Sequence, residues 1–536
     1  MSDVISVEKQ IDPLAAAEAG IDIQLTTTKA ELAKVAAERD EYRKLVMHLR
    51  EEVERLRRGL LGQKAERLPK NDAQLSLAIL EMAFGSQQKG DAKATETQLI
   101  PSHERRRPAR KPLPAELPRV TIEIQPPEVE REGRDAFECI GSERREVLER
   151  RPASSVVVEL VYPKYVRKDR ERHAAAQVLM AESVELPIPR GIAGPCMLAD
   201  TVVRRFGDHQ PLHRLEGSYS RENLELARST MCTWHEELAE LVQPVVEAMF
   251  TDALTQPYLC VDATGVLVQA PEKCHNGHFW VMVAPERHVL YRYSRRHDSE
   301  AVDKLLPGYC GYLVADGHVV YDHLYRTGAV VEVGCWAHAR RYFYKAMTSD
   351  PERAKVALTH IGALFAIERS LIGSPRKKKR NLRLEKSKPV VDAFFAWCEG
   401  EAGRVLEESP IFDGIRYATN QRVALSRFLE NSDLPIHNNW SELNLRRQVV
   451  GRRNWLFVGS DDGAEVNTIF VSLLASCRLH AIEPLAYIRD LFCLLPSWPK
   501  NRVLQLAPVN WKQTLEQPDT QQALAANVFR RVVLGL

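Results

Sequence analysis

YLCVDATGVLV, residues Tyr258 to Val268, is a β-branched and apolar run with one acid, Asp262, set inside it. Bounded by turn residues, such a run predicts a strand. HFWVMVA (His278–Ala284) and VLYRY (Val289–Tyr293) follow with the same character, so the three read as a meander. Downstream come a helical piece (Ser299–Leu306), strand-like runs at Tyr312–Ala315, Tyr321–Leu324 and Val330–Cys335, and a helix at Ala337–Ala346. The order βββ-α-β-α-β-α predicts an α/β, ribonuclease-H-like fold, a mixed sheet flanked by helices. Met347–Glu430 is mostly helical and basic and reads as an insertion. The α/β domain is therefore expected at 251–350 and 431–480, with a helical insertion at 351–430 and a C-terminal helical region and tail at 481–536. NNWSELNLRRQV (Asn438–Val449) reads as a helix capped by Asn438 or Ser441, followed by helices from Ala464 to about Leu495.

Upstream, Met197–Phe250 reads as two short helices and a longer one, the last capped by Ser229 or Thr230. Two readings stand for this 186–250 segment: a helix-turn-helix whose final helix enters a DNA groove, or an ordinary helical subdomain. Residues 119–185 hold strand-like runs at Val120–Ile124 and Ser154–Val166, and 69–118 read as a flexible linker rich in Lys, Gln, Arg and Pro. Leu32, Val35, Arg39, Tyr42, Val46, Leu49, Val53, Leu56 and Leu60 recur at three- and four-residue steps within 20–68. That pattern predicts a coiled coil joining two chains, or a long helix packed on its own chain.

With 536 residues, 44% hydrophobic and 27% charged, the chain has material for several domains. No stretch is long and apolar enough for a membrane span, and the N-terminus has no signal-peptide pattern, so a cytoplasmic protein is expected. Ten scattered cysteines without a CxxC argue against disulfides and thiolate zinc. The net charge is only +2, but basic clusters stand at Arg105–Lys111, Arg376–Arg383 and Arg446–Arg453, each suited either to phosphate or to a solvated face.

Asp262 lies within an apolar strand and Asp316 ends another, in YLVADGH. A buried carboxylate needs a positive partner, and a divalent cation supplies one. If the first and fourth strands are neighbours, the two acids converge at one edge, and Glu442 can join them from its helix. Three carboxylates suit a pair of Mg²⁺ (or Mn²⁺) ions bridging a phosphate. The competing reading is that each aspartate caps a turn before glycine. His338, Arg340 and Arg341 in CWAHARR open a helix from which phosphate is reachable, or form a plain exposed face. Arg446, four residues past Glu442, either meets DNA or pairs with that acid, and Arg452 and Arg453 extend the basic face. Trp336, Trp440 and Trp455 either stack on a base or fill core, and CHNGH (Cys274–His278) reads as a loop.

The strings YLCVDATG, HFWVMVA, GYLVADGHVVYD, GCWAHARRYF, NNWSELNLRRQVVGRRNWLFVGSDDGA and PLAYIRDL, with HLREEVERLRRGLLGQKAERL and PLHRLEGSYSRENLELARSTMCTW ahead of them, resemble the motifs of the insertion sequence 66 transposase family, in the same order. The resemblance spans roughly Leu45 to Leu495. It implies a DDE catalytic triad at Asp262, Asp316 and Glu442, a zipper-like N-terminal helix, a zinc-binding segment, and a helix-turn-helix for terminal inverted repeats. It also implies a DNA strand-cleaving and strand-transferring enzyme, acting as a homodimer or higher oligomer at the bacterial nucleoid, with possible small accessory proteins of the same element. Two departures stand out: Cys139 is the only thiol where the family has paired cysteines, so no structural zinc is expected, and His437 replaces an acid before the paired asparagines. These departures also suit an alternative, a catalytically inactive, repressor-like DNA-binding product of a decayed element.

Overall fold

The computed structural model describes residues 113–168, except 116, 152 and 153, and 178–535, with isolated helical residues between 28 and 46. The heptad stripe of 20–68 and the linker of 69–118 lie largely outside the described residues; of the stripe, Leu32, Val35, Arg39 and Val46 are described, helical and exposed. The architecture is mixed α/β, with two mixed sheets and many helices. The chain divides into two compact units, 1–104 with 338–422, and 105–337 with 423–536.

In the larger unit, the first sheet contains β1 (Arg119–Glu123), β2 (Phe137–Arg151), β3 (Ser154–Arg167) and β4 (Leu179–Met180). β3 is central, parallel to β1 and antiparallel to β2 and β4. β2 escapes the sequence reading because FECIGSERREVLERR lacks apolar alternation; its residues 147–150 are buried, while most of the strand before them is exposed. The core of this sheet joins Val147, Val156, Val158 and Leu160 to Phe529 and Val532, which come from the distant helix Val528–Leu534.

The second sheet has the order β7-β6-β5-β8-β9. β5 (Tyr258–Val268), β6 (His275–Ala284) and β7 (His288–Ser294) form the antiparallel meander, and β8 (Gly311–Val314) and β9 (Val330–Val333) continue in parallel from β5. Two readings need correction. CHNGH is not a loop throughout, because His275–His278 open β6, paired with the long second half of β5 from Val268 to Gly265. Tyr321–Leu324 is not a strand: His318 caps a helical turn over Val319–Tyr321 through its Nδ1, which accepts from Val320 N, and a short helix at Asp322–Tyr325 follows.

α2 (Arg228–Ala253), α7 (Asn439–Trp455) and α8 (Asp461–Leu479) pack on this sheet, whereas α1 (Pro195–Val202) packs on β2 of the first sheet and on α9 (Pro484–Leu494). Edge strand β7 has polar groups that no strand pairs, and α8 satisfies three of them from two serines one turn apart. Ser472 Oγ accepts from Tyr291 N at 2.8 Å, and Ser476 Oγ accepts from Val289 N and donates to Val289 O. α2 starts after Ala227 with no side-chain cap, so Ser229 and Thr230 lie inside the helix. Its Met231, Trp234, Leu238, Val242, Val245 and Met249 are buried at three- and four-residue steps, and Glu236, Glu237 and Glu240 are exposed.

The described residues of the smaller unit are helical apart from their connections. The chain enters it within α3 (Trp336–Ala346) and continues through α4 (Pro351–Ser370), Arg376–Leu382, α5 (Lys388–Ala402) and α6 (Pro410–Asn420). Phe343, Phe394, Phe395, Ile361, Ile411 and Ile415 are buried. Gly414 lets α6 approach α3: a Cβ there would stand 3.0 Å from the Phe343 ring.

Candidate active site

The β5 sequence places Leu259, Cys260 and Val261 in the core with no exposure, and Asp262 is the first half-buried position after them. The last parallel pair is Cys260 with Val314. Asp262, midway along β5, and Asp316, just past the end of β8, each follow two residues later, where the parallel pairing stops. Asp262 Oδ1 accepts from Ala263 N at 2.8 Å, and Asp316 Oδ1 accepts from His318 N at 3.1 Å across Gly317, whose φ is +75°. The turn-capping reading of Asp316 therefore holds alongside any catalytic one. Both acids act on one neighbour: burial, then the charges of Asp316 and Asp262, push the Tyr321 hydroxyl well above its ordinary value.

Glu442 arrives from the first turn of α7, half-buried. Asn438, the residue before that helix, has no exposure and is not a side-chain cap. Its Nδ2 donates to Val261 O at 2.8 Å, and its backbone N donates to Cys335 Sγ at 3.1 Å. One residue thus ties the start of α7 both to the strand residue before Asp262 and to the chain leaving β9. Ser441 Oγ donates back to Asn438 O. A Glu442 carboxylate oxygen lies within 4.8 Å of the Cys335 thiol; among the described residues no such close group unites Asp262, Asp316 and Glu442. The structure brings the aspartates to one sheet edge and anchors the helix of the glutamate there.

α7 is held along its length. Its buried face mixes Ser441, Asn444, Gln448 and Gly451 with only Leu445 and Trp455, so the apolar period is weak and the helix outruns the sequence reading by six residues to Trp455. Gln448 Nε2 donates to Asn467 Oδ1 of α8, and Tyr291 Oη donates to Asn444 O. Arg452 Nη1 donates to Thr264 Oγ1 at 3.0 Å and to Gly265 O, so it clamps α7 to β5. Arg446 and Arg453 are exposed. His338, Arg340 and Arg341 fall in the smaller unit; both arginines are exposed, and the Arg340 guanidinium lies 5.7 Å from the Tyr344 ring centroid. Trp336 and Trp455 are core, Trp336 Nε1 donating to Leu425 O, whereas Trp440 is 37% exposed.

An aromatic and imidazole group beside Asp316 went unread in the sequence. His297 stacks on Trp280 at 4.8 Å and 8°, meets His318 edge-on at 4.8 Å, and lies 5.2 Å from His278. Burial lowers the His297 pKa, as do His318 and His278, against the opposing charges of Asp316 and Asp298. RRHDSE carries no spacing signal that would have found His297; only the fold brings it to this edge.

Among the described residues no helix is long and apolar enough to cross a membrane. Residues 190–466 match the Transposase IS66 family, 48–122 match Transposase C of IS166 homeodomain, and 472–509 match the IS66 C-terminal element. The uncharacterized protein y4hP of Sinorhizobium fredii is 28% identical over 497 residues, covering 87% of this chain and 89% of its own length. The uncharacterized protein y4qI of the same organism is 28% identical over 533 residues, covering 95% and 97%. The match over 190–466, spanning both parts of the sheet that carries Asp262 and Asp316 and the helix that carries Glu442, shows that the chain belongs to the IS66 transposase family.

Proposed function

We propose that the chain is a DDE-type DNA transposase that binds the terminal inverted repeats of its element, cleaves strands there and joins them to target DNA. Asp262, Asp316 and Glu442 are the acids assigned to catalysis, on a sheet we read as ribonuclease-H-like. The observation that carries this reading is the shared edge: Asp262 and Asp316 each stand two residues past the last pair of two adjacent parallel strands, and Asn438 fastens the glutamate's helix to the first of those strands.

The donors at that edge are carboxylate oxygens, a hard set that fits Mg²⁺ or Mn²⁺. Asp262 and Asp316 would hold such an ion, with Glu442 completing the set. A divalent ion there supplies Lewis acidity toward a phosphate oxygen and lowers the pKa of a bound water. The chain's own part is to orient. The backbone amides of Ala263 and His318 each take one aspartate oxygen and fix the carboxyl plane, and Asn438 sets the position of α7. Exposed Arg446 and Arg453 lie on α7 beyond Glu442, where they suit contact with a DNA backbone; Arg452 is assigned to the scaffold.

Asp262→Asn removes a charge without changing shape. It is expected to abolish cleavage and strand transfer on labelled element ends while end binding persists within about twofold, and chelation with EDTA should do the same to the parent. Strand transfer by the variant at the parental rate would overturn the assignment. Absence of cleavage by the parent with Mg²⁺ or Mn²⁺, with binding intact, would favour the repressor-like alternative.

A further inference from the structure

The basic run at 376–380 is placed in the smaller unit, on a short helix, Arg376–Leu382, that contains no acid. None of its residues is buried, and Lys377, Lys378 and Arg380 are exposed. Five consecutive cations on under two turns repel one another at every three- and four-residue step, a penalty of a few tenths of a kcal/mol per pair with nothing in the helix to offset it. The unit has acids, but the described ion pairs use them elsewhere: Asp350 and Glu401 with Arg353, Glu399 with Arg422, Asp413 with Arg416, and Asp392 with Lys388. Lys377, Lys378 and Arg380 have no ion-pair partner among the described residues.

The residue just past the end of this helix holds it in place. Arg383 is fully buried and grips Glu368 of α4 with two hydrogen bonds, Nε to Oε1 at 2.8 Å and Nη2 to Oε2 at 2.7 Å. Of all the cations in the run RKKKRNLR, the one turned inward is neutralised by a fixed acid, and its bidentate grip fixes the segment on which the others are carried. A solvated face needs no such fixture. Between His338 and Arg422 there are seventeen Lys and Arg against ten Asp and Glu, so the surrounding unit reinforces the field instead of cancelling it.

We infer that Lys377, Lys378 and Arg380 form a sequence-independent docking surface for the phosphate backbone of duplex DNA, separate from the residues assigned to chemistry. The inference rests on the transposase reading only for the choice of DNA among polyanions. Backbone contacts of this kind add affinity without selecting bases, which suits DNA that flanks the ends or receives them.

The test uses the full chain, a short duplex of arbitrary sequence lacking element ends, and the variant K377A/K378A/R380A, in which alanine favours the helix. If all three cations meet phosphates, the salt dependence of binding flattens by about 0.9 per contact in log–log slope, and the parent's advantage over the variant shrinks about fortyfold between 50 and 200 mM salt. K377R/K378R should retain the parental slope. Equal affinity and equal slope for parent and triple-alanine variant would overturn the proposal, as would polyglutamate binding that depends on the three residues while duplex binding does not. Failure of catalysis is scored separately, by cleavage of element ends with Asp262→Asn as the reference, so duplex binding that depends on the patch stands even if the chain cuts nothing.

Discussion

Asn438 concentrates the problem of holding a site together in one side chain. It is buried, and removing its amide leaves Val261 O without that donor beside Asp262, at a cost of about 1–3 kcal/mol. Asn438→Ala is therefore expected to lower the unfolding free energy by that amount in a denaturant titration, and to cut strand-transfer rate well beyond the loss of folded protein. Rate falling only in proportion to folded protein would mean that the tether is structural alone. Glu149 presents a second case. It is fully buried at the start of α1, accepts from Arg150 N and Met197 N, and burial pushes its pKa up to about 8 against those hydrogen bonds. It is thus protonated at neutral pH, so Glu149→Gln should leave the melting temperature nearly unchanged at pH 7 and Glu149→Ala should lower it. Gly194 shares the spot, since a Cβ there would stand 2.1 Å from Glu149 Oε2, and Gly194→Ala should be destabilising by more than about 2 kcal/mol in the same melts.

At the scale of elements, α2 joins the larger unit through a histidine that must stay neutral. His235 is buried, with Nε2 3.2 Å from Thr201 Oγ1 of α1, while that hydroxyl donates to Leu198 O; Phe206 and Phe470 meet the ring edge-on. Burial, with Arg205 adding to it, depresses the His235 pKa from 6.5 to about 3. As pH falls, the unfolded chain takes up this proton first, so the contribution is complete above about pH 6.5 and is lost as pH falls toward 3. The slope from this group approaches about 1.4 kcal/mol per pH unit inside that window. His235→Phe should remove about one proton of linkage when denaturant midpoints are compared at pH 6 and pH 4, and an unchanged slope would place the acid sensitivity elsewhere. Elements whose pattern matches their burial were legible: β5 shows its β-branched run and its acid, and α2 its apolar stripe. β2 was not, because pairing with β3 makes a strand of a segment whose side chains are mostly charged. α7 was legible only to its middle, because four of its six buried residues are Ser, Asn, Gln and Gly, and the burial of its polar ones depends on partners such as Asn467 that lie in other elements.

Over the whole molecule, the candidate site draws on segments 54 (316 − 262) and 126 (442 − 316) residues apart, Asp262, Asp316 and Glu442, which the ordered motifs of the resemblance pick out. What no pattern could supply was the register that sets two aspartates at one edge and the histidines beside them, since both are properties of strand pairing. The same dependence governs the first sheet, whose core is closed by Phe529 and Val532. Truncation after Ala526 should expose β2 and β3 to limited proteolysis and lower stability by about 3–5 kcal/mol, the scale of one large aromatic lost from a core. Protection equal to the parent's would show that the sheet stands without that helix.

Phe529 also sets an order of events during synthesis. The strands around Val147 and Val158 leave the ribosome well before their packing partner, since Phe529 follows Val158 by 371 residues (529 − 158). At about 5–20 residues per second the apolar face of that sheet waits tens of seconds for its lid. Over that interval the nascent chain is a client for a chaperone, and a premature stop codon anywhere before Val528–Leu534 would leave it one permanently.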